Sequence, residues 1–250
     1  MHLMRIDYLS RIISGLLIFI SLNVHGNPYQ DKDMKDLTVK KINVDTISVE
    51  EIPALFKQEH IAYQTIANVN WKDSYPYCPQ VEFGIAYTDK AILLHYQVTE
   101  ESVRAVAGHD NGPVWEDACV EFFSMPGGDD IYYNVECNCT GTLLVGAGAT
   151  RSNRQHAPQE VLDLVSRWAS LGKDDFEERI GTCSWEVALV IPFSTFFLHD
   201  IQSLEGKSVR VNFYKCGDKL QMPHFLSWNP IDLPKPDFHC PAFFGLLQFD

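Results

Sequence analysis

The chain has 250 residues, of which 46% are hydrophobic and 21% charged, a composition typical of one folded domain and not of a disordered chain. Its formal net charge of -13 and isoelectric point near 5.0 repel phosphate backbones and anionic membrane surfaces, over a screening length of ~8 Å at physiological salt. The charge therefore argues against nucleic acid as a partner and is compatible with a neutral ligand.

Residues 1–26 have the pattern of a secretory signal peptide. Arg5 and Arg11 precede an apolar run at residues 12–20. This run is about half of the ~20 residues that a membrane-spanning helix needs, so an uncleaved anchor is the weaker alternative. We therefore expect export to the periplasm, the cell envelope or the extracellular space, with no membrane contact beyond this signal.

A polar segment separates the signal from the predicted domain. Residues 27–45 are rich in aspartate and lysine, which predicts a flexible lead segment before a folded domain at residues 46–250. Residues 48–58 begin with a serine and two glutamates and continue with apolar residues at helical spacing, which predicts a short helix.

From residue 81 onward the apolar residues alternate with period two, which predicts β-strands. The predicted strands cover residues 81–88, 91–99, 118–124, 131–138, 183–190, 208–215 and 243–249. Helical spacing returns over residues 160–170. The sequence thus predicts an all-β fold: an antiparallel β-sandwich of jelly-roll or immunoglobulin-like type, with one or two short peripheral helices.

The cysteines are scattered along the chain and show none of the spacings of a zinc site, so we expect no metal centre built from them. Their odd number leaves at least one thiol unpaired in an oxidising compartment. They are Cys78, Cys119, Cys137, Cys139, Cys183, Cys216 and Cys240.

Two consecutive predicted strands carry a polar face. Alternation places Glu121 on the face opposite the core, and Asn134, Glu136 and Asn138 share the corresponding face of the next strand. Trp115 precedes the first of these strands. An aromatic ring beside carboxylates and amides can stack on a pyranose and bind its hydroxyls. The alternative is an ordinary solvated sheet face.

The segment Trp115-Glu116-Asp117-Ala118-Cys119-Val120-Glu121 resembles the Trp-x-x-Asp-x-Val-Glu motif of the family 9 carbohydrate-binding modules. The similarity continues through the strand at residues 130–138, the strand that ends in Ile191-Pro192, and the closing Ser227-Trp228 to Phe244-Gly245 region. The resemblance implies a non-catalytic glycan-binding sandwich in an exported, polysaccharide-catabolic context. It also implies a separate carbohydrate-active enzyme as a partner.

Carried over position by position, the resemblance implies that Trp115 and Phe238 grip a sugar and that Glu121 binds its hydroxyls. Two positions depart from the family pattern: Phe238 stands where the family carries tryptophan, and Asn134 stands where it carries arginine. His239, next to Phe238, is a further candidate.

Three other features complete the set of candidates. Trp228 is either an aromatic at the rim of the site or a plug inside the sandwich, and Arg104 could donate to sugar hydroxyls. Because the family resembles calcium-containing sandwiches, Asp129 and Asp130 could hold a structural calcium ion. No other cofactor is expected.

Two alternative functions stay open. A glycoside hydrolase needs two carboxyl groups about 5 Å or 6.5–9.5 Å apart, whereas Asp117 and Glu121 on one strand would lie roughly 13 Å apart. A cross-strand pair of Glu121 with Glu136 could be nearer. A haem-binding or electron-transfer sandwich would need axial ligands. The candidates for that role are His95, His109, His224, His239, Met125 and Met222.

Overall fold

The computed structural model describes residues 34–44 and 46–250. The predicted signal peptide at residues 1–26 lies outside the described residues. Within them, none of the helices has the length and apolar character required to cross a membrane.

The domain is built mainly of β-strands, with two short α-helices at the periphery. The helices are α1 (Ile52–Gln58), which a single 3-10 turn at Val49–Glu51 precedes, and α2 (Gln159–Leu162). The strands are β1 (Asp36–Lys41), β2 (Gln64–Thr65), β3 (Asn68–Val69), β4 (Gln80–Tyr87), β5 (Ala91–Ala105), β6 (Cys119–Met125), β7 (Tyr132–Asn138), β8 (Leu143–Gly148), β9 (Gln155–His156), β10 (Ser166–Ala169), β11 (Phe176–Pro192), β12 (Ser208–Cys216), β13 (Phe225–Ser227) and β14 (Gly245–Phe249).

The strands pair in the order β10-β11-β5-β4-β1-β14-β12-β6-β7-β8-β9. The half from β10 to β4 packs face to face on the half from β14 to β9, which confirms the predicted β-sandwich. The strands of each half are antiparallel, and the predicted hairpins β4-β5 and β6-β7 are present.

The prediction of a purely antiparallel sandwich is wrong at one strand. β1 runs parallel to β14 through residues 36–39 and parallel to β4 through Lys40 and Lys41. The sheet is therefore mixed. Because the chain between β1 and β14 is nearly the whole domain, no short hairpin forces these two strands into an antiparallel arrangement.

β1 also corrects the prediction of a flexible lead over residues 27–45. Val39 is fully buried and packs in the core between the halves, with Leu37 partly buried on the same side. Only these two apolar residues alternate within a charged stretch, so the strand signal was weak. Residues 36–41 of the predicted lead segment are therefore part of the folded sheet, whereas residues 27–33 lie outside the described residues.

The second predicted helix, at residues 160–170, is only partly present. α2 ends at Leu162, and residues 166–169 form strand β10 at the edge of the sheet, paired with β11. Trp168, which matched the helical spacing, instead packs against the cluster around α1. Tertiary pairing with a long strand outweighed local periodicity here.

The core lies between the two halves of the sandwich. Phe83 stacks on Phe213 with 3.8 Å between ring centroids, and Trp228 meets both rings edge-on. Each fully buried side chain of this kind contributes roughly 1.5–3 kcal/mol. Trp228 is thus the plug of the sandwich and not a rim aromatic.

A charged cluster is also enclosed in the sandwich. Lys215 Nζ lies 2.9 Å from Glu100 Oε2 and 2.8 Å from His224 Nε2, and all three side chains are fully buried. Trp185 Nε1 donates to the other oxygen of Glu100 at 2.6 Å. The three contacting residues Glu100, Trp185 and Lys215 lie on β5, β11 and β12. Separation of these strands would leave buried charges without partners, which is costly, so the contacts hold the strands together.

Candidate functional site

A cavity of about 710 Å³ lies on the outer face of strands β6, β7, β8 and β12. The long connection between β13 and β14 covers one side of it, and the 3-10 turn Val114–Glu116 forms part of the rim. Alternation produces this arrangement: Val120 and Phe122 face the core, so Glu121 faces outward into the cavity.

Most of the predicted sugar-binding residues line this one cavity. They are Trp115, Glu121, Asn134, Glu136, Phe238 and His239. The sequence separates them by more than 100 positions, and the sheet together with the β13–β14 connection brings them together.

Glu121 and Glu136 form a carboxyl pair on the floor of the cavity. They oppose each other directly in the register of β6 and β7, and both are buried. Burial raises the pKa of Glu136 to about 7. Burial, followed by the neighbouring Glu136, raises the pKa of Glu121 well above its ordinary value. At neutral pH the pair therefore holds at least one proton, and it can both donate and accept hydrogen bonds.

Asn134 is oriented by an arginine from another part of the chain. Arg154 donates to Asn134 Oδ1 from Nε at 3.0 Å and from Nη2 at 2.6 Å. The amide nitrogen must then be the donor, and it donates to Glu136 Oε1 at 2.8 Å. Glu136 Oε2 is buried with no hydrogen-bond partner among the described residues. The chain of contacts thus leaves one carboxyl oxygen available in the cavity.

Arg154 itself has no donor to spare for a ligand. Its Nη1 donates to the carbonyl oxygens of Gly148 and Thr150, its Nη2 also donates to Tyr132 O, and its guanidinium stacks 4.0 Å from the Tyr132 ring. An arginine therefore does stand beside position 134, where the resembling family carries one, but it comes from the β8–β9 loop and acts as a positioning residue.

The aromatic walls of the cavity are unequal. Trp115 is 38% exposed and offers a free ring at the rim. Phe238 is nearly buried, because Tyr214 stacks on it with 4.1 Å between centroids and an interplanar angle of 5°. Tyr75 and Phe225, which pack edge-to-face at 4.8 Å, add two further aromatic rings to the wall.

The remaining predicted residues do not line the cavity. Asn138 is fully buried and donates to Asp117 Oδ2 at 3.0 Å, so it braces a loop. Arg104 donates to Glu116 O at 3.0 Å from the far side of the rim. Trp228 lies in the core. These three side chains of the predicted sugar-binding set therefore lie outside the cavity.

Charged groups surround the rim. Burial, with a smaller effect of Glu116, raises the pKa of Asp218 to about 6, and burial lowers the pKa of His239 to about 4. His239 is thus neutral at pH 7 and shares a hydrogen bond of 3.0 Å with the Tyr132 hydroxyl. Arg151 pairs with Asp237 at 3.3 Å.

The family model for carbohydrate-binding family 9 matches residues 50–249. The chain belongs to carbohydrate-binding family 9. The motif at Trp115 and Glu121, on which the resemblance rested, lies inside the match. The family is non-catalytic, which is consistent with a binding role for this module.

Solved structures agree with this assignment. A Bacteroides uniformis protein named as a candidate carbohydrate-binding protein is 58% identical, with a TM-score of 0.85, over 87% of this chain and 100% of that one. Two structures of a family 9 module from Caldicellulosiruptor kristjanssonii, one with glucose and one with cellotriose, are 12% and 11% identical. Their TM-scores are 0.55 and 0.51, and the alignments cover 86% of this chain and 96% and 93% of the Caldicellulosiruptor chains. Because the sequence identities are so low, these two structures support the fold alone. Among curated proteins, no sequence matches this family 9 chain.

The structure adds cavity residues that the sequence interpretation missed. Tyr75, Arg154, Asp218 and Phe225 lie in loops or short edge strands, where no alternation pattern marks a shared face. One local signal points to Arg154 and His156. They follow the glycine-rich strand Leu143–Gly148, and glycines within a strand are typical of a place that another group approaches closely.

The other candidate ligands have protein partners. Within the described residues, the proposed haem ligands do not meet in one cavity: His95 bonds Glu186 at 3.0 Å, His224 bonds Lys215, and only His239 lines the site. Asp129 contacts His199 through one oxygen and accepts from the Ile131 amide through the other.

Proposed function

We propose that this family 9 module binds a glycan, without cleaving it, in the cavity between Trp115 and Phe238. The proposal rests on one observation: the partly exposed Trp115 and the buried Glu121–Glu136 pair line the same cavity. Within the described residues, Glu136 Oε2 has no hydrogen-bond partner and is available to a ligand. The volume, about 710 Å³, is in the ordinary range for a small-molecule site.

The two kinds of surface match the two kinds of surface on a sugar. The exposed ring of Trp115 can stack on the C–H face of a pyranose, and the carboxyl pair can exchange hydrogen bonds with its hydroxyls. Glucose and cellotriose are the ligands of the Caldicellulosiruptor modules. They support a gluco-configured sugar as the first ligand to test here.

The cellular context is part of the same proposal. The signal-like pattern at residues 1–26 supports export, and the family resemblance supports cooperation with a separate carbohydrate-active enzyme in polysaccharide breakdown. The acidic charge of -13 supports a neutral ligand over a nucleic acid.

Calorimetric titration of the protein with glucose, cellobiose and cellotriose tests the proposal. We expect saturable binding to at least one of them, weakened about 5- to 10-fold in Trp115→Ala, which corresponds to about 1–1.4 kcal/mol of lost stacking. Ile180→Ala, at an exposed apolar residue outside the cavity, is the matched control and should bind as the parent does.

The two informative failures differ. Binding that Trp115→Ala and the parent share equally would place the glycan elsewhere on the molecule. Release of shorter sugars during the titration, detected by chromatography of the mixture, would replace a binding role with hydrolysis by the Glu121–Glu136 pair.

A further inference from the structure

Two cysteines that are almost 100 positions apart in the sequence meet in the sheet beneath the cavity, where Cys119 is fully buried and Cys216 lines the cavity. Cys119 on β6 and Cys216 on β12 oppose each other directly in the strand register. Glu121 lies two residues beyond Cys119 and thus on the same face of β6. The two Sγ atoms and a carboxylate oxygen of Glu121 all lie within 4.8 Å of one another.

This cluster differs from the other buried cysteines of the chain. All seven cysteines lie in the described part of the structure and are free thiols. All four buried cysteines contact backbone carbonyl oxygens. Cys216 Sγ in addition lies 3.1 Å from a side-chain carboxylate oxygen, Glu121 Oε1. Cys216 and Glu121 both line the cavity, so the cluster is reached from solvent through it.

The cluster lies next to a second buried carboxyl group. Glu136 is 4% exposed and its Oε2 has no hydrogen-bond partner among the described residues. Lys215 Nζ is directed to Glu100 on the other side of the sheet, and the Arg154 guanidinium already donates to Asn134 and to backbone carbonyl oxygens. Neither of these cations forms an ion pair with the cluster.

We propose that Cys119, Cys216 and Glu121 bind one Zn²⁺ ion on the floor of the cavity. Two thiolates and a carboxylate supply three ligands, and the fourth position opens toward the cavity, where water completes the coordination. Thiolate ligands select zinc over calcium or magnesium, which prefer oxygen. Binding forms two Zn–S bonds and one Zn–O bond and releases the two thiol protons, together with any proton on Glu121, to the buffer.

Co²⁺ is a suitable probe, because thiolate-to-cobalt charge transfer absorbs in the near ultraviolet. The protein is reduced with a phosphine, stripped with a chelator and titrated with Co²⁺. We expect a charge-transfer band that saturates at one equivalent and is abolished by one equivalent of Zn²⁺. The absence of this band would overturn the proposal. The titration uses no sugar, so it can be interpreted whether or not the protein binds a glycan.

Variants decide which residues hold the ion. Cys119→Ser/Cys216→Ser should lose the band, whereas Cys78→Ser/Cys183→Ser, at two more accessible thiols, should keep it. A band that follows the second pair of substitutions would overturn the assignment.

Glu121→Gln covers the case in which the buried double variant fails to fold. This variant keeps both thiols and should retain the band while it weakens Co²⁺ binding by about 10- to 100-fold, the range found for changes around bound metals. Unchanged affinity in Glu121→Gln would remove Glu121 from the site and overturn the three-ligand proposal. Near-ultraviolet circular dichroism reports the fold of each variant.

Discussion

Replacement of Lys215 by methionine should destabilise the protein more than any surface charge change. The substitution removes the lysine that contacts Glu100, whose carboxylate is fully buried and 2.9 Å from the ammonium group. Breaking a buried ion pair from one side costs about 3–5 kcal/mol, because the remaining charge is left without a partner. For a chain of this size that loss lowers the melting temperature by ~6–20 °C.

The companion variants separate the charge effect from a packing effect. Glu100→Gln/Lys215→Met removes both charges and keeps an acceptor for Trp185, so it should recover part of the loss. Lys219→Met is the matched control, because Lys219 forms a similar pair with Glu116 at 3.1 Å but is 60% exposed. This exposed pair should contribute only about 0–1 kcal/mol. Urea unfolding followed by tryptophan fluorescence measures each free energy of unfolding.

The pH dependence of Lys215→Met gives a second check. Burial and the charge of Lys215 hold the pKa of His224 well below its usual range, and His224 lies 3.6 Å from Glu100 Oε2. Without Lys215, a protonated His224 can replace the lost cation. A histidine whose pKa is raised by folding stabilises the protein at low pH, and this stabilisation is lost as pH rises through the folded-state pKa. The loss of unfolding free energy in Lys215→Met should therefore be smaller at about pH 5 than at about pH 8. Equal losses in Lys215→Met and Lys219→Met at both pH values would refute this account.

Three further changes test the cavity, and a fourth tests the packing at Gly245. Burial raises the pKa of Glu136 from 4.5 to about 7, so between these pH values the folded state binds a proton that the unfolded state releases. The stability of the wild type should therefore fall more than that of Glu136→Gln as pH rises from about 4.5 to above 7. An identical pH dependence of the unfolding free energy in the two proteins would contradict this. Arg154→Met should leave Asn134 free to rotate and weaken glycan binding several-fold with little change in the far-ultraviolet dichroism, which calorimetry checks against the parent. A Cβ at position 146 would lie 2.6 Å from Asn134 Oδ1, so Gly146→Ala should weaken glycan binding in the same assay; unaltered affinity would show that the Asn134 amide is not needed. A Cβ at position 245 would lie 2.3 Å from the carbonyl oxygen of Lys35, so Gly245→Ala should lower the melting temperature, and an unchanged value would contradict that close approach.

Strong alternation predicted the central strands well. The runs at residues 81–88, 118–124 and 131–138 correspond to β4, β6 and β7 with shifts of one residue at their ends. Their length and their apolar faces decide the structure locally, so periodicity is enough. The same alternation placed Glu121 and Glu136 on the cavity face.

Short or charged strands were not predictable in this way. β1 has two apolar residues among charged ones, and β8 contains two glycines, so neither shows a clear period. Both strands exist because longer neighbours pair with them. The contact of Arg154 with Asn134 depends on the pairing of β8 with β7 and β9, and the contact of Cys119 with Cys216 depends on the pairing of β6 with β12. No local pattern in the sequence predicts these contacts.

The position of β1 has a consequence for how the molecule forms. Its first residues pair with β14, more than 200 positions later in the chain, and its last residues pair with β4. Contacts of such long range are formed slowly, because a large loop must close before they repay its entropy. Until residues 245–249 arrive, β14 is missing between β1 and β12, and the edges of β1 and β12 stay open to other chains. The last strand to be synthesised therefore closes the sheet, and every newly made chain passes through this open state before it does so.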